Sequence, residues 1–139
     1  MATALFVCLH NAGRSQMSAA LFERAARGRH RAISAGTTPA DRVHPEVVTA
    51  MFELGVDLAD RRPRKLTRAL ASQADVVVTM GCGDACPVVP GAVRLDWDLP
   101  DPGGCALVEV RRIRDEIARQ VQGLIEGLDH GSIEPARDG

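Results

Sequence analysis

Five residues separate a cysteine from an arginine in Cys8-Leu9-His10-Asn11-Ala12-Gly13-Arg14, and Ser15 follows at once. These residue types at this spacing suit nucleophilic attack on a tetrahedral oxyanion. The apolar run Ala4-Leu5-Phe6-Val7 before the cysteine reads as a buried strand. Met17, Ala20, Leu21 and Ala25 after it recur at helical spacing. Cys8 therefore stands where a strand turns into a helix. The first amides of a helix lack intrahelical partners and, with the helix dipole, form an anion site. Gly13 lets the backbone fold tightly around the anion, and Arg14 adds a forked contact to its oxygens. The same positive surroundings favour the thiolate of Cys8, and Ser15 could donate a hydrogen bond to it. The competing reading is a buried core cysteine with a surface arginine nearby.

Two further groups could take part. In Gly81-Cys82-Gly83-Asp84-Ala85-Cys86-Pro87 two cysteines stand four apart in a glycine-rich loop, which suits thiol–disulfide exchange. Cys82 could attack a sulfur adduct on Cys8, with Cys86 resolving it, and the glycines give the loop freedom to move. Zinc held by Cys82, Cys86, Cys105 and a histidine is the rival, although the second pair lacks a recognisable ligand spacing. The bland alternative is two incidental cysteines. In Asp98-Leu99-Pro100-Asp101-Pro102-Gly103-Gly104, prolines on both sides stiffen Asp101. A rigid carboxylate near the anion could protonate a departing oxygen. Asp98 is the alternative acid, and a turn-forming aspartate is the reading without chemistry.

The elements that must position these groups alternate. Strands are expected at 3–7, 31–35, 74–79 and 93–95, the third being the strongest β-branched run in the chain. Helices are expected over 15–27, from Pro45 to Leu54 with Gly55 ending it, over 67–72 behind a Thr67 cap, and over 106–128. Such alternation predicts an α/β fold: three layers, with a four-stranded parallel sheet and helices on both faces. Ligands in such sheets sit beyond the carboxyl ends of the strands, so the loops after the first and third strands should open on one edge. Residues 1–130 read as a single catalytic domain and 131–139 as a flexible polar tail.

The 139 residues suffice for one domain with a real core, and 45% hydrophobic with 25% charged residues is ordinary globular composition. A net charge of -1 makes neither nucleic acid nor an anionic membrane an expected partner. No apolar run approaches membrane-spanning length, and Met1-Ala2-Thr3 lacks a secretory leader, so a cytoplasmic setting is expected. There, four cysteines point to catalysis, redox work or metal binding before a structural disulfide frame.

Taken together, Val7-Cys8-x5-Arg14-Ser15-Gln16-Met17, Ser34-Ala35-Gly36, the Cys82/Cys86 loop and Asp101-Pro102 resemble the arsenate reductases of low-molecular-weight tyrosine phosphatase fold. The resemblance runs from residue 4 to about 128. It implies that arsenate binds within the 8–14 loop, on Leu9, His10, Asn11, Ala12, Gly13 and Arg14. It also implies that Cys8 attacks arsenic, that Asp101 protonates the leaving oxygen, and that Cys82 and Cys86 relay a disulfide to thioredoxin with release of arsenite. Asn11 and Ser34 match positions that shape the loop. Some relatives use mycothiol and mycoredoxin without an internal relay. No bound cofactor and no metal are implied, and the potassium-site acid of some relatives is matched by Ala19. The Cys82-x3-Cys86 spacing is shorter than in the best-known branch. A phosphatase is the reading from another reaction class. Gly103 and Gly104 stand where phosphotyrosine phosphatases of this fold carry aromatic residues, and the chain has no tyrosine. A noncatalytic oxyanion or metalloid sensor would need neither Ser15, nor Asp101, nor the cysteine loop. Outside these motifs, Cys105 reads as structural, His10 as solvated, His44 as a helix-start residue, Trp97 as core or a loop anchor, and Arg61, Arg62 and Arg64 as a solvated basic run.

Overall fold

The computed structural model describes residues 1–82, 86, 88–131 and 133 of the chain. The elements run β1 (Thr3–Cys8), α1 (Arg14–Ala26), β2 (Arg31–Gly36), α2 (Pro45–Phe52), α3 (Arg68–Ala71), β3 (Val76–Met80), β4 (Val93–Asp96) and α4 (Leu107–Asp129). The four strands form one parallel sheet in the order β2-β1-β3-β4. β1 lies inside the sheet with both faces covered, which is why it is a continuous apolar run without alternation. Ala4 and Phe6 of β1, with Val76, Val78 and Met80 of β3, pack against α1, α2 and α4. Leu5, Val7, Ile33, Ala35 and Val77 point to the other face, where Leu66, Leu70 and Ala71 around α3 cover them. The three layers expected from the sequence are present, with the heavier helical layer on the Phe6 side.

α4 contributes the longest apolar stripe. Val110, Ile113, Ile117, Val121, Leu124 and Ile125 are buried along it, each worth about 2 kcal/mol of transfer free energy. Trp97 is core, its ring 5.8 Å from that of Phe6. Element ends move by one or two residues from expectation. α1 starts at Arg14 and stops when Arg27 turns left-handed (φ 50°) ahead of Gly28. β3 starts at Val76 because Asp75 is occupied by a two-way clamp on Thr3: its amide donates to the Thr3 carbonyl (2.8 Å), and its carboxylate accepts from the Thr3 amide (2.9 Å). Thr67 caps α3 by accepting from the Leu70 amide at 3.1 Å, as its side chain predicts.

Among the described residues no helix is long and apolar enough to cross a membrane. Of the expected tail, the Ile133 amide donates to the Gly127 carbonyl (3.0 Å) and its side chain packs on the core. Residues 132 and 134–139 lie outside the described residues, as do Gly83, Asp84, Ala85 and Pro87 of the cysteine loop.

Candidate active site

The loop from Cys8 to Gly13 hangs by its carbonyls. Those of Cys8, Leu9, His10 and Ala12 accept from the amides of Thr37 (3.3 Å), Thr38 (2.8 Å), Ala40 (2.9 Å) and His44 (2.9 Å), while the Gly13 carbonyl accepts from Met17 in the first turn of α1. In a trans peptide the N–H points opposite to the C=O. Turning these carbonyls out toward the β2–α2 connection therefore turns the amides of Leu9, His10, Asn11 and Gly13 inward. The Asn11 amide shows the result, reaching Cys8 Sγ at 3.3 Å. The connection 37–44 is thus the scaffold of the cradle. Gly36 makes room for the loop, because a Cβ there would lie 2.9 Å from the Asn11 amide nitrogen and the Leu9 carbonyl oxygen.

Cys8 is only 2% exposed and belongs to the apolar cluster around Phe6, yet two polar groups reach its sulfur, the Asn11 amide and Ser15 Oγ. Ser15 Oγ lies 2.8 Å from Sγ and accepts from Asn11 Nδ2 at 2.7 Å. The orientation of the Asn11 amide follows from the Arg64 backbone N–H, an obligate donor, which bonds Asn11 Oδ1 at 3.0 Å. Gln16 Nε2 adds a second bond to the same oxygen, at 3.1 Å. With Nδ2 donating to Ser15, the serine hydrogen is free to point at the sulfur and stabilise a thiolate. Asn11 adopts a left-handed conformation (φ 49°), which asparagine tolerates better than other residues with a Cβ. The Arg61–Arg64 segment is correspondingly more than a solvated run: the Arg62 carbonyl accepts from Gln16 Nε2, and Arg64 Nε donates to the Ser34 carbonyl. Ser34, expected to shape the loop, pairs with Phe6 in the sheet and anchors Arg64 through that carbonyl.

Arg14 is buried on the same side as Cys8. Its Nη1 donates to the Leu99 carbonyl at 3.1 Å, and its Nη2 lies 3.8 Å from Asp101 Oδ2. Gly81 makes this path possible. A Cβ at Gly81 would lie 2.5 Å from Arg14 Nη1, and its φ of +75° suits glycine. The loop glycine read from sequence as a source of mobility is, at position 81, a space for the guanidinium. Asp101 is half exposed, and its Oδ1 accepts from the Gly103 amide at 2.9 Å. Asp98 is exposed and has no such link to Arg14. Cys105 reaches the Asp101 carbonyl with its thiol at 3.5 Å, a contact in keeping with a structural role. His10 is at the rim, with Nδ1 3.1 Å from the Thr38 carbonyl.

Cys82 and Cys86 are joined in a disulfide with Cα atoms 5.0 Å apart, while Cys8 and Cys105 are free. Among the described residues no group of three His, Cys, Asp or Glu side chains gathers to hold a metal ion, and Cys82 and Cys86, the first two of the rival zinc ligands, are bonded to each other. Cys8 is in register with Met80, so the cysteine loop leaves the sheet on the adjacent strand. Cys82 packs with Leu5 and Val7, on the opposite face from the Cys8 side chain.

Residues 3–132 match the sequence pattern of the low molecular weight phosphotyrosine protein phosphatase family. A relative from Halobacterium salinarum, whose name assigns it provisionally to the arsenate reductases, is 42% identical over 87% of this chain and 89% of its own length. The structure of a thioredoxin-dependent arsenate reductase from Corynebacterium glutamicum superposes with a TM-score of 0.81 at 37% identity. It covers 94% of this chain, which spans 63% of that longer one. An arginine phosphatase from Geobacillus stearothermophilus superposes with a TM-score of 0.84 at 26% identity, covering 94% of this chain and 95% of its own.

Proposed function

We propose a function from the premise that this chain belongs to the low molecular weight phosphotyrosine protein phosphatase family: it is an arsenate reductase. The observation that carries the reading is the Cys82–Cys86 disulfide on the strand beside Cys8. Oxyanion binding and phosphate-ester cleavage have no use for it, and a two-electron reduction ends in it.

Arsenate occupies the cradle formed by Leu9, His10, Asn11, Ala12 and Gly13, with Arg14 on its oxygens. The Cys8 thiolate, steadied by Ser15, bonds to arsenic while one oxygen departs as water, taking a proton from Asp101. The thiol of Cys82 then attacks Cys8 Sγ. The sulfur–arsenic bonding pair goes to arsenic, reducing it from As(V) to As(III), and arsenite leaves behind a Cys8–Cys82 disulfide. Cys86 attacks Cys82, freeing Cys8 as thiolate and giving the Cys82–Cys86 pair present here. An external dithiol, thioredoxin in this reading, reduces that pair. Residues 1–130 act as one catalytic domain in the cytoplasm, where such reductants are maintained.

The arginine phosphatase neighbour reflects chemistry that phosphate and arsenate share through their common shape and charge. The redox pair is what separates the two activities. The test is arsenate-dependent NADPH oxidation with thioredoxin and thioredoxin reductase. Wild-type protein should turn over, and Cys82→Ser and Cys86→Ser should each abolish turnover while still binding arsenate. Full activity of both variants, sustained by mycothiol and mycoredoxin, would reject the internal relay.

A further inference from the structure

The ring of His44 does nothing for its own helix. His44 is the N-cap of α2, but its side chain makes no capping hydrogen bond. Among the described residues the imidazole has no hydrogen-bond or ion-pair partner. Its backbone is nevertheless fixed on both sides. The amide donates to the Ala12 carbonyl of the cradle at 2.9 Å, the carbonyl accepts from Val47 (3.0 Å) and Val48 (3.1 Å), and Pro45 follows.

The ring is consequently held between the cradle and the Asp101–Gly103 turn. A Cβ on Gly13 would lie 3.5 Å from His44 Cδ2 and 2.5 Å from Pro102 Cγ. A Cβ on Gly103 would lie 3.2 Å from His44 Nε2 and equally 3.2 Å from Asp101 Oδ1. The imidazole edge and the Asp101 carboxylate thus flank the same glycine, and both glycines leave the space that the ring and Pro102 fill. Asp101 itself is half exposed, with one short local bond to Gly103 and Arg14 at 3.8 Å. The Cys105 thiol and amide hold the Asp101 and Pro102 carbonyls at 3.5 and 3.0 Å, and the His44 ring packs against the turn at Gly103.

We propose that His44 is a positioning residue: its ring seats the Asp101–Gly103 turn against the oxyanion cradle and so fixes the proton donor over the arsenate bound at Cys8. The inference rests on Asp101 being that donor. It assigns His44 a role beyond the helix-start function its sequence position suggests.

The test is single-turnover thiol loss after arsenate is added to fully reduced protein, with phosphate affinity measured by calorimetry on the same samples. His44→Ala should slow thiol loss by about tenfold, a part of the roughly 10²–10⁴-fold that a placed general acid contributes. Phosphate affinity should stay within about twofold, and His44→Gln, which keeps much of the ring's volume and reach, should recover most of the rate. In an Asp101→Asn background His44→Ala should add less than about twofold, because two residues acting through one proton are not additive. Equal slowing in both backgrounds, no slowing in either, or loss of phosphate binding in both His44 variants would overturn the proposal. An Asp101→Asn protein as fast as wild type would instead remove Asp101 as the acid, and the role of His44 with it. A slow Asp101→Asn protein beside a fast His44→Ala protein would reject His44 alone.

Discussion

Arg14 reaches the Leu99 carbonyl through space that Gly81 leaves empty. Gly81→Ala would place a methyl group 2.5 Å from Nη1 as the backbone stands. The left-handed φ adds a cost of about 1 kcal/mol for a residue with a Cβ. The variant should bind phosphate about tenfold more weakly, through loss of a forked contact, while keeping its far-UV dichroism. Calorimetric titration checks this, and unchanged affinity would remove Gly81 from the site. The residues with chemistry in their side chains were legible. Cys8, Arg14, Ser15 and Asp101 are readable from type and spacing, and the fold sets Ser15 Oγ 2.8 Å from Cys8 Sγ and Arg14 3.8 Å from Asp101. Gly81 was legible only as a loop glycine, because its function is an absence of atoms next to a residue far away in sequence. His44 and the Arg64 amide were illegible for a related reason. The Arg64 amide is a backbone group that every residue carries, 53 positions from Asn11, and the His44 ring meets the Gly103 turn only through the folded chain.

At the level of elements, α2 and α4 are tied by one carboxylate and two arginines. Arg111 donates to Glu53 Oε2 at 2.7 Å, and Arg114, buried, donates to Glu53 Oε1 at 2.9 Å and to the Ala50 carbonyl at 2.8 Å. The hydrogen bond from Arg111, with smaller help from Arg114, holds the Glu53 carboxyl down to about 2 from its ordinary 4.5. A carboxylate whose folded pKa is depressed stabilises the fold above its unfolded value, and that contribution fades as pH falls from about 4.5 toward about 2. Urea midpoints measured from pH 7 to pH 2.5 should therefore drop through that window. Glu53→Gln should lower the midpoint at pH 7 and flatten the drop. Asp96, Glu116 and Asp129, also held low by hydrogen-bonded partners, would leave a residual slope. A variant with the wild-type profile would deny the clamp. The elements themselves were readable to within two residues, since apolar periodicity and turn residues are local signals. The pairing of Arg114 with Glu53 was not, because it joins two helices through side chains that each look like solvated helix charges.

Across the whole molecule the sheet sets the problem that the relay must solve. Cys8 faces the α1 and α4 layer, and Cys82 packs with Leu5 and Val7 on the opposite face, disulfide-bonded to Cys86. This is the end state of the relay. In the reduced protein Cys82 must pass the edge at Met80 to meet Cys8, so reduction of the pair and displacement of Cys82 belong to one cycle. The measurement that tests this account most directly is disulfide mapping by mass spectrometry after fully reduced protein meets one equivalent of arsenate with no external thiol present. The account predicts a Cys82–Cys86 disulfide, free thiols at Cys8 and Cys105, and one arsenite per chain. Arsenate left unreduced with all four thiols intact, until a low-molecular-weight thiol joins Cys8, would contradict it.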